Sequence, residues 1–181
     1  ARFLVELLPL LPGAHYQRAD VVSSMRMAKD ADEIAALFAA GAAVDRIAGE
    51  LQAGNIELVG RTEAAVSADL GERILAEGHQ VVNFAIVAAG ENAASPHHSP
   101  GDRVIRKNEI LLCDFGGTMN GYCSDITRCV YLGTPPAEVA DAYSVLQEAQ
   151  AAAVAAGVVG APCEEVDRAA RRAHGGGGRL D

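Results

Sequence analysis

From Asp30 onward the apolar residues recur at helical steps: Ile34, Leu37, Phe38, Val44, Ile47 and Leu51. Spacings of three and four, with longer jumps across alanines, predict an amphipathic helix, and Gly54-Asn55 supplies its stop. A second stripe, Val66, Leu70 and Ile74, follows Thr62, which can cap a helix, with Glu63 as an acidic residue in the first turn. Gly78 ends it, and both helices read as amphipathic and surface-lying. The period then changes. Val81–Ala89 is short, apolar and β-branched, which predicts a strand. Gly90-Glu91-Asn92 is a turn, and Ser95–Pro100 is a loop with two histidines and two prolines. Ile110–Phe115 predicts a second strand ending at Gly116-Gly117, Asn120-Gly121 is a strong hairpin signal, and Tyr122–Leu132 continues as a strand. Thr134-Pro135-Pro136 opens another helix, with Thr134 as its cap and Val139, Tyr143, Leu146, Gln150 and Ala153 on one face. It stops by Gly157; Gly160-Ala161-Pro162 is a break, and Cys163–Arg172 is a short last helix. Helices, then antiparallel strands, then helices give an α+β class. No internal repeat is visible.

The chain has 181 residues, enough for one domain with its own core. Half of its residues are hydrophobic and 22% are charged, a globular balance. Fifteen Lys and Arg against 24 Asp and Glu leave a net charge of −9, which argues against a polyanion binder, so no nucleic-acid partner is expected. No apolar run approaches about 18 residues, so no membrane span is expected. The opening run, residues 2–11, superficially resembles a signal peptide. Glu6 and Pro9 interrupt it, and an amphipathic helix is the better reading. Four cysteines without a CxxC pair read as reduced thiols, which points to the cytoplasm.

Two acidic residues interrupt the apolar β-type segments: Asp114 closes Leu111-Leu112-Cys113, and Asp125 lies within Tyr122–Thr127. A carboxylate there is costly unless it is paired or holds a cation. A turn through Gly116–Gly121 would set the two strands side by side and aim both carboxylates at one point, where a divalent metal pair would relieve their repulsion. The alternative makes Asp114 a turn residue and pairs Asp125 with Arg128. His97 and His98 follow Pro96 in a loop; either a proton donor near neutral pH or two solvated histidines fits. His15, His79 and His174 have no supporting context, and Cys113 reads as a small buried hydrophobe. Asn92, Thr118 and Thr127 read as turn and strand residues. Gly90 and Gly116-Gly117 lack the lysine and helix of a phosphate loop.

Three segments in order carry a resemblance. They are Phe84–His98 with its Gly-Glu-Asn-Ala-Ala-Ser-Pro-His run, Ile110–Gly117, and Gly121–Arg128 with its Ser-Asp-Ile-Thr-Arg signature. Together they resemble the metallopeptidases of the pita-bread fold, the M24 family, and within it the Xaa-Pro dipeptidase and aminopeptidase P branch. The stretch Met25–Ile34 resembles the entry to the catalytic domain of that branch, and the likeness runs over about residues 25 to 172.

The resemblance implies an α+β pita-bread fold and hydrolysis of the peptide bond before proline by a metal-bridging hydroxide. It implies that Asp114 binds one or both metals, that Asp125 bridges them, and that His97 stabilises or protonates the reacting peptide. The implied cofactor is two divalent ions, Mn²⁺ or Co²⁺. The implied substrate is a short peptide with proline, and a homodimer is common among relatives. The family's further ligands, a histidine in a His-Gly-x-Gly-His-like stretch and two glutamates, have no counterpart before Asp181, and His174 is not assigned. Three of five ligands are therefore expected to be absent, as in a fold incomplete at its C-terminal end. The implied organisation is residues 1–24 as the tail of a preceding domain or linker, 25–174 as the partial catalytic domain, and 175–181 as a disordered Gly-rich end. A non-catalytic binding or interaction module derived from the same fold is the competing expectation.

Overall fold

A computed structural model describes residues 2–11, 13–15 and 22–175. The Gly-rich stretch from 176 onward lies outside the described residues, as does the side chain of His174. Two short helices, α1 (Arg2–Leu7) and α2 (Ser23–Met27), precede a long one, α3 (Ala31–Gln52). Its start follows from a reciprocal cap. The Asp30 carboxylate accepts from the Glu33 amide at 2.9 Å, and the Glu33 carboxylate accepts from the Asp30 amide at 2.8 Å. Helix α4 (Glu63–Ala76) is capped by the Thr62 hydroxyl, which accepts from the Ala65 amide at 3.1 Å.

The strands β1 (Val81–Ala89), β2 (Ile110–Met119), β3 (Tyr122–Cys123) and β4 (Ile126–Tyr131) form an antiparallel sheet. Strand β2 is central: β1 flanks one side, while β3 and β4 follow each other along the other. Alternation along β2 sorts its side chains between two faces. Leu111, Cys113 and Phe115 point into the core, where Val44, Ile47 and Leu51 of α3 and Val66, Leu70 and Ile74 of α4 meet them. Leu112 and Asp114 belong to the opposite, outer face. Helices α5 (Ala137–Ala156) and α6 (Cys163–Gly175) pack on one another, and α5 reaches the outer face beside Ile110, Cys129 and Tyr131. Among the described residues no helix is long and apolar enough to cross a membrane.

The structure departs from the sequence expectations at four places. Strand β2 runs through Gly116-Gly117 to Met119 rather than ending there, so Asp114 is a mid-strand residue. The continuous strand expected over Tyr122–Leu132 is broken at Ser124-Asp125. Helix α5 begins at Ala137 with Pro136 in the cap position and no side-chain cap, because two prolines separate Thr134 from the first helical amides. Finally, Ile34 and Phe38 are exposed, as is much of the face of α5 through Tyr143 and Leu146. Ile34 and Phe38 sit roughly a third of a turn around α3 from the stripe of Val44, Ile47 and Leu51 that meets the sheet.

Candidate active site

Asp114 projects from the middle of β2 on the outer face, half-buried. Its register partner on β4 is Thr127, whose hydroxyl donates to Asp114 Oδ1 at 2.9 Å. Ile86, Leu112, Pro96 and His97 complete an open cleft of about 350 Å³ around the pair. The lining is mostly apolar, with Asp114 from β2, Thr127 from β4, and Ser95 and His97 from the loop as its polar groups. A more enclosed groove of about 280 Å³ lies between β4 and α5, but its lining carries no carboxylate and no histidine. Of the two, only the Asp114 cleft is lined by a carboxylate and an imidazole.

His97 reaches this cleft from the loop after β1. A 3₁₀ turn, Gly90–Ala94, carries the chain away from the strand, and His97 is then held at a φ of 56°. That left-handed conformation is disfavoured for a residue with a Cβ and persists only where the surroundings impose it. The imidazole is exposed.

Asp125 lies beside the cleft, in the break between β3 and β4, and its exposed side chain makes no hydrogen bond or ion pair among the described residues. The expected pairing with Arg128 does not form. Arg128 donates to the Thr127 carbonyl at 2.8 Å and lies 3.9 Å from Asp45 of α3. The ladder between β2 and its neighbours is interrupted at Ser124-Asp125 without a bulge. Thr118↔Cys123 and Phe115↔Ile126 belong to one register, so no residue is inserted between them. Instead the Ser124 hydroxyl substitutes for its own carbonyl and accepts from the Gly117 amide at 3.1 Å, while the Ser124 amide donates to the Gly117 carbonyl at 2.9 Å. The freed Ser124 carbonyl turns against Gly116, where a Cβ would overlap it and lie 3.2 Å from the Asp125 Cα. Gly116 shares the outer face with Asp114 by its spacing of two. The missing side chain lets the Ser124-Asp125 backbone settle against the strand next to Asp114.

Behind this break, the His79 Nε2 lies 2.8 Å from Ser124 Oγ, both groups being buried, and His79 Nδ1 has no partner. A second buried polar centre stands behind His97. Glu63, with no exposed surface, accepts from the Ala89 amide at 2.8 Å, from Asn92 at 3.0 Å, from His98 Nε2 at 2.8 Å and from the Gly101 amide at 3.5 Å. Burial pushes this carboxyl up, but the four donors outweigh it and hold it below the usual carboxylate range. The guanidinium of Arg103 clamps the same loop from outside through Glu91 and Glu109 and holds the Glu91 carboxyl down at about 2. Cys113 is a buried hydrophobe, as its sequence context suggests, with its thiol pushed up to about 12 by burial.

The structure thus brings His97 and Asp114 to one cleft with Asp125 at its side, and gives His98 a separate role against Glu63. Sequence reasoning passed over Glu63, His79, Ser124 and Thr127. Glu63 had a usable signal, since it continues the apolar stripe of Val66, Leu70 and Ile74 by one step of three. Thr127 becomes visible only through its cross-strand pairing with Asp114. A divalent cation suits carboxylate oxygen donors such as those of Asp114 and Asp125, and the absence of a side chain at Gly116 leaves room for the Ser124 carbonyl beside the strand. Among the described residues, no group of three or more His, Cys, Asp or Glu side chains is poised to hold a metal.

Residues 34–178 match metallopeptidase family M24. The chain is 45% identical, over 169 residues, to the probable dipeptidase PepE of Mycobacterium tuberculosis, an alignment covering 93% of this chain and 44% of that protein. The crystal structure of dipeptidase PepE from Mycobacterium ulcerans superposes with a TM-score of 0.80 at 41% identity, over 96% of this chain and 46% of that one. The prolidase of Thermococcus sibiricus superposes with a TM-score of 0.86 at 35% identity, over 97% of this chain and 48% of that one. The chain spans about half the length of these relatives. With the antiparallel sheet, its covering helices and the match over most of its length, the chain has the pita-bread fold and belongs to metallopeptidase family M24.

Proposed function

We propose that the protein carrying this chain is a metal-dependent peptidase of the Xaa-Pro dipeptidase type, acting on short peptides with proline. The observation that carries the reading is the convergence of His97 and Asp114 on one cleft, with Asp125 brought alongside by the close approach at Gly116. Asp114 and Asp125 would hold divalent metal, for which Mn²⁺ or Co²⁺ is the proposed choice. Bound metal supplies activated water at neutral pH and polarises a scissile carbonyl. His97, exposed at the cleft mouth, is placed to donate a proton to, or hydrogen-bond, the reacting peptide. Thr127 orients the Asp114 carboxylate by occupying Oδ1 and leaving Oδ2 for another partner. The apolar wall of Ile86, Leu112 and Pro96 excludes water from one side of a small substrate. A cytoplasmic setting belongs to the same reading and is supported by four cysteines that are all unpaired.

The test is hydrolysis of Xaa-Pro dipeptides by the purified protein with and without Mn²⁺, repeated with Asp114→Asn and Asp125→Asn. Activity in the wild type that falls to background in both variants supports the reading; activity kept in both ends the metal assignment. The second reading, a non-catalytic interaction module, draws on the two-carboxylate donor set. It expects no hydrolysis in any buffer and no stoichiometric Mn²⁺ binding.

A further inference from the structure

The buried Glu63 is not used by the peptidase chemistry above, yet four donors converge on it. It sits in the first turn of α4, where the helix N-terminus favours negative charge. That turn is docked on the segment after the His97 loop: the Glu63 amide donates to the Arg103 carbonyl and the Ala64 amide to the Gly101 carbonyl, each at 3.0 Å. The carboxylate then reaches both ends of the loop and its interior. Ala89 is where the loop leaves β1, Asn92 lies in the 3₁₀ turn, His98 is the neighbour of His97, and Gly101 is where the loop returns. An ionised carboxylate only accepts, so the proton shared with His98 sits on Nε2.

We propose that Glu63 is a positioning residue that fixes the loop from Ala89 to Gly101 through its backbone ends, Asn92 and His98, and thereby imposes the left-handed backbone that presents His97 to the Asp114 cleft. One feature of the loop needs such a constraint: His97 adopts φ 56° although it carries a Cβ. Arg103 holds only the outer side of the loop, through Glu91 and Glu109. Among the described residues, Glu63 alone binds the side chain of His98, the residue after His97. What His97 is positioned for rests on the peptidase reading; that it is positioned does not.

The test is therefore NMR of the 181-residue chain without metal or substrate, comparing wild type with Glu63→Gln and His98→Ala. In the wild type a slowly exchanging His98 Nε2–H proton is expected. In Glu63→Gln that proton is lost, and the amides of the loop exchange at least about 10-fold faster, the loss of one charge-assisted buried hydrogen bond. The His97 Cε1–H resonance moves, while Leu111–Phe115 in β2 keep their protection. His98→Ala, which leaves Glu63 and the core intact, reproduces the change at His97 in milder form and carries the test if Glu63→Gln does not fold. Unchanged loop exchange and His97 resonances in a folded variant would overturn the proposal. So would equal loss of protection in the loop and in β2, which marks a purely structural carboxylate. Absence of peptide hydrolysis would sink the peptidase reading and leave these outcomes unaffected.

Discussion

The hydroxyl of Ser124 accepts the Gly117 amide at 3.1 Å, in the place where the Ser124 carbonyl would close an ordinary antiparallel pair. This one exchange turns the Ser124 carbonyl outward over Gly116, breaks the strand at Asp125, and frees that carboxylate from the ladder without shifting its register.

Gly116→Ala is expected to destabilise the fold by about 1–3 kcal/mol, the cost of forcing extra volume into a packed site. The new Cβ would overlap the Ser124 carbonyl and crowd the Asp125 Cα, and both are backbone atoms that cannot rotate away. Urea denaturation reads the change. A midpoint equal to the wild type would mean that Ser124-Asp125 does not lie against β2.

Ser124→Ala removes the acceptor for the Gly117 amide and the partner of His79 Nε2, leaving buried polar groups unpaired. The expected loss is about 1–3 kcal/mol. Hydrogen exchange localises it, because the Gly117 amide should exchange faster while Leu111 and Cys113 stay protected. Uniformly unchanged exchange would show that the hydroxyl does not hold the break.

Acid should weaken the fold through its paired carboxylates. Glu63 and Asp69 are pushed up by burial but held down on balance by their donors, and Glu109 is held down chiefly by Arg103. Each folded-state pKa lies below its unfolded value, so the stabilisation is present above the unfolded pKa and is lost as pH falls through the folded one. Denaturation midpoints should be flat from pH 7 to about pH 5 and fall steadily below about pH 4.5. Glu63→Gln should flatten part of that slope; an acid limb of the same steepness in the variant would exclude Glu63 as a contributor.

Thiol labelling should separate the four cysteines by burial. Cys123 and Cys163 are exposed and react first with a disulfide reagent. Cys129 is slower, its thiol pushed up by burial. Cys113, pushed up to about 12, reacts only when β2 opens. Rapid labelling of Cys113 in folded protein would contradict the core assigned to the inner face of β2.

Much of the element order was legible along the chain, because its signals are local. The Thr62 cap, the Gly78 stop, the bounds of Val81–Ala89 and the Asn120-Gly121 hairpin all depend on side chains within a few residues of the backbone they shape. The stripe of Val66, Leu70 and Ile74 is fully buried as its spacing demands. The exposed Ile34 and Phe38 show the limit of such reading. Apolar residues at helical spacing mark a helix, but which flank is covered depends on where the sheet passes.

The candidate site divides in the same way. The residues His97, Asp114 and Asp125 stand out in the sequence because carboxylates inside apolar β segments and a histidine after Pro96 are locally anomalous. Their framework does not stand out, because its partners are distant in the chain: Glu63 meets His98 across 35 positions and His79 meets Ser124 across 45. A charged residue at a helix start and a serine in a strand look ordinary until folding removes water from them. The sequence by itself therefore determined most of the elements and the candidate site side chains, through local backbone preference and periodicity. Only the tertiary structure decided which polar groups are buried together, because the cost of leaving a desolvated group unpaired is set by neighbours that the chain order does not reveal.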